Sequence, residues 1–176
     1  VEVPATYEYR ANVKLDKTAY LVAKLSKWQD YNLLNGNAKL FNEGTFVGEV
    51  YLDIENTSDT LLLSLGRDES IVITRERLVD MNGAQLAGST KKETRYWKTT
   101  IRNTKKQAVR LVLTEQIPVS RQKDITVKLE KAEGGVLTEA TGYVVWQLNV
   151  APNTTQEVIL GYSVKYPKDK QLTFYD

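Results

Sequence analysis

Residues 107–129 read QAVRLVLTEQIPVSRQKDITVKL, two alternating apolar runs joined across Ile117-Pro118. Val109, Leu111 and Leu113 stand at spacing two before the joint, and Ile125, Val127 and Leu129 after it. Successive side chains of a strand point to opposite faces, so this spacing marks half-buried strands. Proline has no N–H for a ladder, which makes the joint a bend or sheet switch rather than a central strand position. A catalytic loop is the competing reading, but no nucleophile with a base stands near it.

The same period extends outward in both directions. Tyr7, Tyr9, Ala11, Val13 and Leu15 share one face at the N-terminus; Val144, Trp146, Leu148 and Val150, then Val158, Leu160, Tyr162, Val164 and Tyr166, do so near the C-terminus. Residues 37–54, NAKLFNEGTFVGEVYLDI, place Asn42-Glu43-Gly44 between two apolar runs, a hairpin signal. ENTSDT reads as a turn, LLLSLG as a short strand, GRDES as another turn and IVITRERLV as another strand. MNGAQLAGSTKKE, residues 81–93, lacks an apolar period and reads as a loop, linker or subdomain boundary. All four Pro residues fall at the ends or joints of these runs. The pattern predicts an all-β chain: an antiparallel β-sandwich, immunoglobulin-like in character, either single or as two packed β subdomains.

Composition limits the chemistry. With no His and no Cys among 176 residues, Ser-His-Asp triads, Cys-His pairs and His- or Cys-bound zinc are excluded. A carboxylate-pair hydrolase stays open, since it needs only two acids facing a cleft. Asp53, Glu55, Asn56 and Asp59 form an oxygen-rich group that fits a turn better than a calcium loop. No cofactor is expected. A formal charge of +2 gives no electrostatic ground for a nucleic acid partner, and Lys91-Lys92 and Lys105-Lys106 read as solvated turn residues. No apolar run approaches the roughly 20 residues that span a bilayer.

Aromatic residues are the remaining resource, with ten Tyr and three Trp. Trp97 and Trp146 sit in alternating runs and are expected in the core. Trp28 and Tyr31 lie instead in the polar segment SKWQDYN, where they either form a ligand or partner surface or fold back as a cap over the sandwich edge.

Several ordered stretches resemble the C-terminal domain of mucoidy inhibitor A-like proteins. They are Leu33-Leu34-Asn35-Gly36 leading into the hairpin, Val47-Gly48 after its turn, Gly66-Arg67-Asp68 before the strand carrying Arg75, and Ile117-Pro118-Val119-Ser120. Asn35 stands where that family commonly has Pro, a departure that relaxes the turn. The resemblance implies that residues 1–176 are a C-terminal β domain of a longer bacterial cell-envelope protein, periplasmic or otherwise exported. It carries no catalytic residues over. The functional expectation is therefore a noncatalytic interaction module whose partner is a protein or an envelope polysaccharide; the alternative is a carbohydrate-binding or glycan-processing domain using Trp28 and Tyr31.

Overall fold

The computed structural model describes residues 2–42, 44–55, 59–81 and 83–174. Strands follow in the order β1 (Thr6–Asn12), β2 (Thr18–Ser26), β3 (Gly36–Asn42), β4 (Thr45–Leu52), β5 (Thr60–Arg77), β6 (Gly83–Ala87), β7 (Thr90–Asn103), β8 (Val109–Gln116), β9 (Thr126–Lys131), β10 (Val136–Thr138), β11 (Tyr143–Val150) and β12 (Thr155–Pro167). Helical structure among the described residues amounts to 3₁₀ turns at Trp28–Tyr31 and Val79–Met81. The molecule is all-β, as the alternation predicts, and no described helix is long and apolar enough to cross a membrane.

Ten strands form one sheet in the order β10-β11-β8-β1-β2-β5-β7-β12-β9, with β6 on the side of β7; β3 and β4 form a second, two-stranded sheet. The large sheet is mixed, because β8 enters parallel to β1 with Tyr9 opposite Leu111 and Ala11 opposite Leu113. A parallel pair needs a long crossover, and everything from β2 to β7 supplies it here. The sheet curls over its own core: Ala11, Leu113 and Trp146 from one end of the strand order pack with Ile101, Leu160 and Val164 from the other. That is a sandwich made from a single folded sheet.

Strand β5 makes the corner. Over 18 residues it pairs first with β2 and then, from Ile71 onward, with β7. The turn expected at Gly66–Ser70 is a bulged stretch inside this one strand. Gly66 takes a φ of 103°, the register with β2 slips, and Asp68 Oδ1 accepts the Ser70 N–H at 2.9 Å. Turn chemistry has been used to bend a strand instead of ending it.

A smaller core lies under the second sheet, where Leu40 and Leu52 meet Ala23, Leu25, Leu61 and Leu63. The hairpin closes with Asn42 opposite Thr45 and Gly44 at a φ of 78°; Glu43 is outside the described residues.

Two further expectations change. Within residues 81–93, read as loop, 83–87 pair with 90–94 as a β6–β7 hairpin around Gly88 at a φ of 59°. All of β6 is exposed, so neither face needed apolar residues and no alternation marked it. Leu15 is 80% exposed, because the chain turns at Asn12, whose carbonyl accepts the N–H groups of Leu15 and Asp16.

Candidate functional site

The Ile117–Ser120 joint is both a crossover and the wall of a cleft. Strand β8 ends when Ile117 N–H donates to the Gly142 carbonyl at 2.9 Å, and Pro118 then offers no donor. The chain passes to β9, which pairs with β12 at the opposite end of the strand order. Ser120 Oγ accepts the Gln122 N–H at 3.1 Å, and the Gln122 carbonyl accepts the Ile125 N–H at 3.2 Å, tightening the crossover before β9 begins. Gly142 cannot carry a side chain here: a Cβ would lie 2.3 Å from the Ile117 carbonyl oxygen and 2.9 Å from Val119 Cγ2.

Beside the joint lies a cleft of about 570 Å³, walled by the joint, by Tyr162 and Val164 of β12, and by Leu172 and Phe174 beyond the last strand. A second hollow of about 450 Å³ shares the joint and Val127 and runs between the outermost strands β9 and β10. The cleft is mostly apolar. Lys14 and Arg121 are its charged lining residues, with no Asp or Glu among them. Glu139 lines the second hollow, while acids on β7 and β9 are paired. Glu93 accepts a short hydrogen bond from Tyr166 OH and lies 2.6 Å from Lys91 Nζ. Burial alone would raise the Glu93 carboxyl; those two bonds outweigh it and hold the group below its ordinary value. Glu130 accepts from Ser163 Oγ at 2.7 Å and faces Lys92 at 3.1 Å.

Trp28 is buried at 9% exposure in the smaller core, and Tyr31 is half-buried. Lys27 and Asn32, both at positive φ, bracket the 3₁₀ turn that carries them. Exposed aromatic surface lies elsewhere, on the β3–β4 hairpin, where Phe41, Phe46 and Tyr51 are more than half exposed and the two Phe rings meet edge to face at 5.7 Å. The oxygen-rich group spreads out: Asp53 Oδ1 accepts the Glu55 N–H, Glu55 accepts from Asn35, and Asp59 accepts from Gln29. Asn56 lies outside the described residues, and among those described no three acids gather to hold a metal.

Two polar clusters were missed in the sequence. Arg75 Nε meets Glu115 Oε1 at 2.8 Å inside the main core, with the guanidinium 3.7 Å from the Trp97 ring centre. Glu115 continues the inward series Val109-Leu111-Leu113, so an acid on an apolar face was the available signal. Second, Asp68 Oδ2 accepts from Tyr9 OH and Lys105 Nζ, each at 2.6 Å. Burial would raise the Asp68 carboxyl, but the bonds from Lys105, Tyr9 and Ser70 outweigh it and hold it well below 3.8. Lys91, Lys92 and Lys105, read as solvated, each pair with a carboxylate of this chain.

Protein F37C4.5 of Caenorhabditis elegans is 29% identical to this chain over 160 residues, 89% of the chain and 28% of that protein. The chain thus spans a little over a quarter of the relative it matches. A family profile described as a domain of unknown function, DUF4139, matches residues 2–168, every strand described above and the whole Ile117–Ser120 joint. By that match the chain belongs to the DUF4139 family of domains.

Proposed function

We propose that this domain is a noncatalytic interaction module that seats an apolar segment of a partner protein in the cleft beside Ile117–Ser120. One observation carries the reading: the cleft is lined mainly by apolar side chains, with Gln116, Ser120, Thr141 and Thr173 among them and Lys14 and Arg121 as its charged residues, and it has no carboxylate, histidine or cysteine to act as base or nucleophile. Such a lining favours desolvation of a ligand and attraction of its negative charge. The resemblance of short stretches to mucoidy inhibitor A-like proteins is what supports a finer placement in a bacterial cell-envelope protein, periplasmic or otherwise exported. The fold itself does not bear on compartment.

A carbohydrate-binding reading has its own support in Phe41, Phe46 and Tyr51, the exposed aromatics of the β3–β4 hairpin. One titration separates the two readings. Envelope polysaccharide fractions and a pool of apolar, acidic decapeptides are titrated against the wild-type domain, Ala140→Trp at the exposed cleft rim and Tyr51→Ala on the hairpin. The interaction reading expects saturable peptide binding that Ala140→Trp abolishes and Tyr51→Ala spares. Glycan binding that Tyr51→Ala abolishes and Ala140→Trp spares would overturn it in favour of the second reading.

A further inference from the structure

The edges of the sheets are not equally guarded. An edge strand presents a row of unpaired N–H and C=O groups, which charged side chains, bulges or short length normally blunt. Strand β10 is three residues long, and β9 carries Lys128 and Lys131 with a register slip against β12. The β3–β4 hairpin carries Lys39 and Glu49 and a slip of its own after Leu40. Strand β6 has none of these devices. It reads Gly83-Ala84-Gln85-Leu86-Ala87, without charge or proline, and pairs with β7 in unbroken register from Gly83 opposite Thr94 to Ala87 opposite Thr90. Leu78 N–H donates to the Tyr96 carbonyl at 2.9 Å, so the chain running from β5 into β6 keeps to one side of β7. The other side of β6 has no strand partner among the described residues. All five residues of β6 are exposed, Leu86 at 75%, and Val79 and Met81 just before it are exposed too.

We infer that β6 is an interface strand for a second copy of this chain, pairing antiparallel with its counterpart about a two-fold axis at Gln85. Two such edges suit one another because neither brings a charge into the seam. In this register Gln85 faces Gln85 of the second copy, and Leu86 faces Ala84 on the sheet face that also carries Lys91 and Glu93. Charge complementarity lies at the ends of the strand. Asp80 stands just before β6, while Lys168, whose N–H donates to the Ser89 carbonyl, stands at the turn that follows it. Both are exposed and have no ion-pair partner among the described residues. A two-fold rotation carries the Asp80 end of each copy onto the Lys168 end of the other, and Val79, Met81 and Leu86 lose water as the copies meet. Each copy spends its unguarded edge in the contact, so the pair closes as a dimer rather than growing into a fibre. Five residues a side make a small interface, and the dimer is accordingly weak and in exchange with the monomer.

Sedimentation velocity of the full chain from about 1 μM to about 1 mM tests this, and wild type should dimerise as concentration rises. Gln85→Lys and Gln85→Glu each set like charges opposite one another across the seam and should each weaken the dimer at least about 10-fold. Melting temperatures should not change, because Gln85 is exposed and Lys92, its neighbour on β7, is held by Glu130. An equimolar mixture of the two variants should restore association, since opposite charges then meet. Asp80→Lys should weaken the dimer roughly 2- to 30-fold by removing two exposed ion pairs, and Asp80→Lys/Lys168→Asp should recover it. A wild type still monomeric at about 1 mM would overturn the inference and leave the edge to a strand of a different protein. A dimer indifferent to both Gln85 variants would overturn β6 as its seam. One that Gln85→Lys breaks and the mixture fails to restore would overturn the register centred on Gln85.

Discussion

Glu115→Ala should strongly destabilise the main core by leaving a buried cation without its partner. The Glu115 side chain is fully buried and that of Arg75 is 7% exposed, with Nε and Oε1 2.8 Å apart. At an effective dielectric of about 20, two unit charges at that distance attract by about 6 kcal/mol. Removing each ion from water costs several kcal/mol, so the pair comes out near neutral while either charge alone does not. Loss of Glu115 strands the Arg75 guanidinium against Trp97, between two packed strands, and should cost about 3–5 kcal/mol. For a domain of this size that is roughly 6–20 °C in melting temperature. Thr99 Oγ1 approaches Glu115 Oε1 at 3.4 Å, but Oε2 has no hydrogen-bond partner among the described residues. The pair is therefore incompletely satisfied, and Arg75→Met/Glu115→Leu together should be neutral or up to about 4 kcal/mol stabilising. Urea unfolding followed by tryptophan fluorescence measures both. A Glu115→Ala cost under about 1 kcal/mol, or a double variant as unstable as the single, would refute the reasoning.

Asp68→Asn should cost about 2 kcal/mol by weakening the charged bonds from Tyr9 and Lys105. Since the folded Asp68 titrates below its ordinary 3.8, its contribution is present above about pH 4 and lost as acid protonates it. Wild type should accordingly lose more melting temperature than Asp68→Asn between about pH 5 and pH 2, and parallel curves would contradict this. Lys105 titrates above its ordinary 10.5, so the same cluster weakens only as the pH rises beyond that value. Gly142→Ala should cost about 2–4 kcal/mol, since it combines a φ of 71° with a collision against the Ile117 carbonyl, and should also displace the cleft wall; a cost near zero in thermal melts would contradict that geometry. Trp28→Ala should cost about 3–5 kcal/mol as a buried aromatic. An unchanged melting temperature together with lost ligand binding would make Trp28 a recognition residue instead.

The strands were legible because most have one buried and one wet face, and that asymmetry prints an alternation in the sequence. Strand β6 left no such mark because both its faces are exposed. Gly66–Ser70 carried turn residues whose bonds bend β5 without ending it, a distinction that depends on Lys105 and Tyr9 arriving from distant segments. Trp28 stood open in the sequence between a partner surface and a cap over the sandwich edge because its neighbours are polar; the left-handed backbone at Lys27 and Asn32, which no local pattern announces, accompanies a burial its neighbours do not share. The cleft had no motif, because its walls come from residues 117–121, 162–164 and 172–174 and exist only once β8 and β12 are brought together by the curled sheet.

Backbone amide shift mapping by NMR, during titration with an apolar, acidic decapeptide, tests the placement of the binding site most directly. The account predicts saturable shifts confined to the cleft walls, residues 117–121, 125–127, 140–142, 162–164 and 172–174. Shifts centred on the β3–β4 hairpin, or none around Ile117–Ser120 at saturating peptide, would contradict it.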